Sequence, residues 1–161
     1  MAQFPSTVHA QIASGTALTD STTETALASY TIKGGTLAAG KSIGFDATFL
    51  TTAAQSTDTL TLKVYIGATA IATFTAEDQT TNDVAVITGK LTSRALSSSA
   101  TVVSWVLGTD ADATGEAARG FAAKTASIDT TGDLVLAIKG TWSAASPSDS
   151  VQCESFNVVE Y

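Results

Sequence analysis

The chain has 161 residues, a net charge of −7 and only 14% charged side chains. A length of this order fits one domain with a sufficient core, and the single Cys153 excludes an internal disulfide. The eight Lys and Arg are scattered singly, which excludes the cation clusters that grip nucleic-acid phosphates or an anionic membrane.

Ala and Thr contribute 28 residues each, so polarity comes from hydroxyls more than from charge. Thr is β-branched and hydrogen-bonding, which suits the wet face of a sheet. The opening MAQFPSTVHA lacks the basic and apolar parts of a secretory signal. No apolar run approaches a membrane span. Synthesis in a cytoplasm is expected.

Residues 1–15 form a candidate N-terminal arm, with 16–161 as a single β domain. Pro5 argues against a central strand there, yet Val8, Ala10 and Ile12 alternate. Such an arm lies over a neighbour or pairs at an edge, with a partly frayed terminus as the competing reading. Thr25 to Ile32 reads as a strand with a change of phase. Lys33-Gly34-Gly35 is a turn. Ser42 to Thr52 sets Ile43, Phe45, Ala47 and Phe49 against Asp46 and Thr48. Thr59 to Ile66 alternates without a break, and Gly67-Ala68 reverses the chain into Thr69 to Phe74. Thr75 to Asp83 reads as an acidic loop, and Val84 to Arg94 as a strand. Thr101 to Leu107 is a strand whose core face is expected at Val103, Trp105 and Leu107.

Gly108 to Gly120 reads as the longest irregular piece, followed by a strand from Phe121 to Ile128. Ala113 to Lys124 is the one helix candidate, weakened by two glycines. Leu134 to Tyr161 reads as a closing hairpin and a central part of a sheet. In its second arm Val151 and Cys153 sit on one parity, Phe156 and Val158 on the other. A bulge near Glu154 or Ser155 would reconcile them.

The result is an all-β chain of about nine or ten strands, an antiparallel, jelly-roll-like β-sandwich. Its predicted core includes Phe45, Phe49, Leu62, Val64, Trp105, Ile138 and Trp142. One internal echo stands out. Residues 53–62 and 144–153 each run from a small-residue loop through Asp58 or Asp149 into an alternating strand. Two equivalent loops at one end of the sandwich would account for it, as would coincidence in a chain so rich in Ala, Ser and Thr.

Catalytic patterns are lacking. His9 is the only histidine and lies in the arm, so a nucleophile–His–acid site has no rigid base. Cys153 reads as a small core residue. Glu77, Asp78, Asp110, Asp112, Glu116 and Glu154 are the acids available for paired-carboxylate chemistry, but sequence places no two of them together. Asp110, Asp112, Thr114 and Glu116 match the opening of a calcium loop. The bidentate Glu expected at its twelfth position is replaced by Phe121, so a solvated acidic loop is the competing reading. No other cofactor is indicated. Tyr65 is the one aromatic read on a polar face.

The segments TALTDSTTETALASYTI (Thr16 to Ile32), STDTLTLKVYIG (Ser56 to Gly67) and LAIKGTWSAASPSDSVQCESFNV (Leu136 to Val158) resemble small β-sandwich virion proteins of tailed bacteriophages. The resemblance implies a non-enzymatic structural protein, a head decoration (cement) protein or minor spike. It would sit on the outer capsid surface as an oligomer, a homotrimer in many such proteins, and would bind the major capsid protein. The alternative is a receptor- or carbohydrate-binding module of a phage tail or fibre. An acidic chain is repelled by packaged DNA, which agrees with an outward location. The contact surfaces expected are Met1 to Ile12, with Phe4, Val8, Ala10 and Ile12, and the loops at 75–83 and 108–120, with Glu77 and Asp78.

Overall fold

The computed structural model describes residues 6–11, 13–52, 58–78, 83–111 and 117–161; for 76–78, 110–111 and 117–119 it describes the backbone alone. The described residues form eleven strands and no helix. They are β1 (Ser6–Gln11), β2 (Leu18–Thr19), β3 (Thr25–Ile32), β4 (Ser42–Thr52), β5 (Thr59–Ile66), β6 (Thr69–Asp78), β7 (Asp83–Ser93), β8 (Ala100–Ala111), β9 (Ala117–Ile128), β10 (Leu134–Trp142) and β11 (Ser150–Glu160).

Two antiparallel sheets result. The larger runs β1-β11-β4-β7-β8-β9, with β2 also paired to β11, and the smaller runs β3-β10-β5-β6. Apart from β2 and the β8–β9 pair, eight strands remain, and their pairing is nested. The first pairs with the eighth (β1·β11), the second with the seventh (β3·β10), the third with the sixth (β4·β7) and the fourth with the fifth (β5·β6). A long antiparallel ribbon rolled into two layers gives this order, which is a jelly roll. The β8–β9 hairpin is an addition that extends the larger sheet beyond β7.

The layers face each other through the parities that alternation predicts. Phe45, Ala47, Phe49, Ile87, Leu91, Val151, Cys153, Phe156 and Val158 of the larger sheet are buried against Leu60, Leu62, Val64, Ile66, Leu136, Ile138 and Trp142 of the smaller. The phase changes are bulges. In β11 the register against β4 shifts between Cys153 and Ser155, which puts both apolar sets inside. In β3 the register against β10 skips Leu27, whose side chain sits where a Cβ on Gly140 would lie 2.8 Å from its Cδ1. The β5–β6 reversal is a two-residue turn with Gly67 at φ +56°, a conformation that suits glycine.

Several expectations are corrected. β10 and β11 do not pair, because the link after Trp142 crosses from the smaller sheet to the larger. Each is nonetheless flanked on both sides in its own sheet, so a central place was rightly expected. Alternation reports which face a strand buries, not which strand lies beside it. The expected loop at 75–83 narrows, since β6 runs to Asp78 and β7 begins at Asp83. The irregular piece at 108–120 likewise narrows, since β8 runs to Ala111 and β9 begins at Ala117. The helix candidate gives way from Ala117 onward to strand β9, where pairing with β8 outweighs the helical preference of alanine.

The echo at Asp58 and Asp149 is geometric. The chain leaves β4 for β5 and β10 for β11 at the same end of the sandwich. There Ser150 pairs with Thr52, and the Ser143 N–H donates to the Thr59 carbonyl at 2.9 Å. Both aspartates are buried. Both loops exchange sheets, in opposite directions.

Candidate functional site

β8 is apolar on both faces, so its periodicity alone does not choose an inner one. Val102, Ser104 and Val106 go inside, and Ser104 Oγ donates to the Lys124 carbonyl at 3.2 Å. Trp105, expected in the core, therefore points outward with Val103 and Leu107, and it is 42% exposed. Packing chooses this face. Gly89 of β7 is covered by the Phe45 ring, and a Cβ there would lie 2.6 Å from Phe45 Cζ and 2.8 Å from the Trp105 carbonyl oxygen. The layer between the sheets is already full at that point.

Phe121 of β9 is 67% exposed on the same outer face. It pairs with Leu107, while Trp105 pairs with Ala123, so the two rings are diagonal neighbours on adjacent strands. In the next strand Lys90 stands beside Trp105 in register. Its ammonium lies 4.5 Å above the ring of Tyr161, which itself covers Gly44 and is 41% exposed. One residue row further on, the Asn157 amide donates to Asp46 Oδ2 at 2.9 Å. The outer face of the larger sheet thus carries three partly exposed rings, an ammonium and an amide–carboxylate pair.

The hairpin is fastened from beneath. Gly108 and Gly120 are direct cross-strand partners, and the ring of Phe74 from β6 lies over both. A Cβ would come within 3.0 Å of Phe74 Cδ1 at Gly108 and 2.5 Å at Gly120. Lys124 Nζ donates to the Ala70 carbonyl of β6 at 2.6 Å. These contacts close one side of the sandwich.

The opposite side is closed by the N-terminal strand. β1 pairs with β11 at the edge of the larger sheet, so the described part of the arm takes the edge placement among its expected readings. His9 faces inward and is half-buried, its ring centroid 5.5 Å from both Tyr30 and Phe156. Burial, with Glu160 nearby, raises the Tyr30 phenol above its ordinary range. Val8 falls at a bulge between Thr7 and His9 and is half-exposed. Ala10 pairs with Asn157 on the outer-face row. Phe4 and Ile12 lie outside the described residues.

A third cluster lies on the outer face of the smaller sheet. Glu24 accepts from Lys63 Nζ at 2.7 Å and from the Tyr65 hydroxyl at 3.3 Å, with Lys139 Nζ at 3.6 Å. The hydrogen bond from Lys63 is the largest influence and holds the Glu24 carboxyl below its ordinary pKa, against a smaller desolvation penalty. Lys139 also sits 4.4 Å above the Tyr65 ring, so the aromatic read as available is occupied by its own chain.

Among the calcium candidates, Asp110 is placed near the end of β8, while Asp112, Thr114 and Glu116 lie outside the described residues. Glu77 and Asp78 belong to β6, where the backbone alone is described. Among the described residues no group of three His, Cys, Asp or Glu is arranged to hold a metal ion. Cys153 is fully buried; desolvation pushes its thiol up to about 11, which leaves it unreactive at neutral pH.

The surfaces sequence reading missed are Trp105 and Phe121. Their residue types were the available signal, but the larger apolar set of β8 was assigned to the core by size. No family model and no curated protein matches the chain. Among solved structures, a seed lectin isoform of Lotus tetragonolobus is similar at TM-score 0.44 and 7% identity, over 75% of this chain and 73% of that one. The CBM2 module of the evolved Dit of Lactobacillus casei BL23 phage J-1 is similar at TM-score 0.35 and 6% identity, over 81% of this chain and 67% of that one. At these values the functional reading rests on the chain's own residues.

Proposed function

We propose that this protein is a non-enzymatic virion subunit, a head decoration protein that binds the outer capsid surface as a homo-oligomer and stabilises the shell. The observation that carries the reading is the outward pair Trp105 and Phe121, on a hairpin added to an otherwise complete roll. Exposed rings on neighbouring strands are characteristic of surfaces that another protein covers. The net charge of −7 favours a place away from packaged DNA. The virion setting itself comes from the segment resemblance. The test is co-sedimentation of the purified chain with capsid shells stripped of it, followed by shell melting with and without it. Saturable binding and a raised shell melting temperature support the role; free protein left in the supernatant at micromolar concentration refutes it.

The same face also favours a second reading, a glycan-binding module of a tail or fibre. A pyranose stacks its apolar face on a ring and turns its hydroxyls to nearby polar groups. Trp105 has Lys90 and the Asp46–Asn157 pair beside it. A glycan array separates the two readings, since a decoration subunit leaves it blank.

A further inference from the structure

The described sheet edges are not alike. β1 has six residues and a bulge, and β3 skips a register at Leu27. β6 breaks register against β5 twice and lies against β9. Short or bulged edges resist pairing with foreign strands. β9 touches β6 as well, with Gly120 under the Phe74 ring and Lys124 on the Ala70 carbonyl, but those contacts lie on its inward side, and the strand is neither short nor bulged. It runs for 12 residues in unbroken register with β8, without proline and with five alanines. Such an edge is a template of unpaired N–H and C=O groups.

β9 carries two charges, Arg119 at its third position and Lys124 near its middle, and Lys124 is the one placed to guard the centre of the edge. It shares the inward face of its cross-strand partner Ser104. An inward lysine deters pairing because covering it strands the ammonium without water. Here the ammonium already holds the Ala70 carbonyl of its own chain, 2.6 Å away, and keeps that partner when a strand is added.

We propose that β9 is a homodimer seam, pairing antiparallel with β9 of a second copy about a two-fold axis at Ala123. The proposal rests on the reading of this chain as a self-assembling subunit. A second copy is the partner because its own β9 matches this edge in length and in unbroken regularity. A two-fold pairing also uses both copies of the edge at once and so ends growth. Centred at Ala123, the register sets Phe121 against the partner's Thr125 and Lys124 against the partner's Ala122, so the lysines do not face each other. On the outer face Trp105, Ala123, the partner's Ala123 and the partner's Trp105 then form one row, with a Phe121 from each copy beside it. The exposed rings become a continuous apolar belt across the seam.

The test uses the full chain. Sedimentation is expected to find a dimer of 16.3 kDa chains at micromolar concentration. Direct antiparallel partners stand about 4.5–5.5 Å apart at Cα, within disulfide range. Ala123→Cys is therefore expected to cross-link under mild oxidation, with buried Cys153 not competing. Ser127→Cys, set against the partner's Arg119, is the control that does not. Ala123→Lys, and independently Phe121→Lys, abolish the dimer while strand circular dichroism is retained. A monomeric or trimeric wild type, or Ala123→Cys cross-linking no faster than Ser127→Cys, overturns the seam. A dimer that ignores capsid shells refutes the decoration role and leaves the seam standing; a monomer that binds them does the reverse.

Discussion

The seat of Phe74 on the Gly108–Gly120 pair decides how firmly the added hairpin is held, and it can be measured. Gly120→Ala places a methyl 2.5 Å from Phe74 Cδ1 and 2.9 Å from Cε1, well inside contact distance. Forcing a methyl into a packed layer costs about 1–3 kcal/mol. Replacing glycine within a strand returns about 0.5–1 kcal/mol through reduced chain entropy. At mid-range the net loss is about 1.25 kcal/mol, or a melting temperature lower by about 2.5–5 °C at this chain length. The obstacle is a side chain, so Phe74→Leu in the same molecule should relieve much of it. The double-mutant cycle should show a coupling of about 1 kcal/mol. Urea unfolding of the four proteins gives the energies. Hydrogen exchange of the β9 amides shows whether the loss is local to the hairpin. A Gly120→Ala protein as stable as wild type, or strict additivity in the cycle, would refute the ring-on-glycine packing.

Three further outcomes are expected. Glu24 has a lowered pKa when folded, so its contribution is present above the unfolded value near 4.5 and is lost as pH falls through the folded one. Glu24→Gln should remove that arm of the acid stability profile, by up to about 1 kcal/mol for a pair this accessible; an unchanged profile argues against the cluster. Cys153 should resist an aromatic disulfide reagent at pH 8 until the chain unfolds, and prompt labelling of native protein would contradict its burial. Trp142 is buried, and its Nε1 has no hydrogen-bond partner among the described residues. Trp142→Phe should therefore cost about 1 kcal/mol or less, against about 3–5 for Trp142→Ala. The fluorescence left in Trp142→Phe comes from Trp105, and a blue, solvent-shielded emission from the monomer would contradict the outward ring.

Legibility differed by element. β4 and β5 were plain, because Phe45, Ala47 and Phe49, or Leu60, Leu62, Val64 and Ile66, face one buried and one wet side. The β11 bulge was legible as a parity change at fixed residue type. β8 was not, because TVVSWVL is apolar at both parities, and the inner space over Gly89 beside it is taken by the Phe45 ring. The ends of β6, β7, β8 and β9 were missed because acidic and small residues there read as loop, while the ladders with neighbouring strands carry them further. Of the expected contact residues, Val8 and Ala10 are placed on the edge strand β1, and the two strongest exposed rings were not foreseen as such.

By itself, the sequence determined an all-β chain, the faces of its cleanest strands, the places where parity slips and an acidic surface. These follow from properties that act within a few residues: side-chain polarity, the two-residue period and the turn chemistry of glycine and proline. The tertiary structure decided which strands are neighbours, that β10 and β11 belong to different sheets, and which face of β8 meets solvent. Those outcomes depend on volume shared by residues far apart in the chain, such as Phe45 above Gly89 and Phe74 above Gly120, and a local pattern does not encode that space.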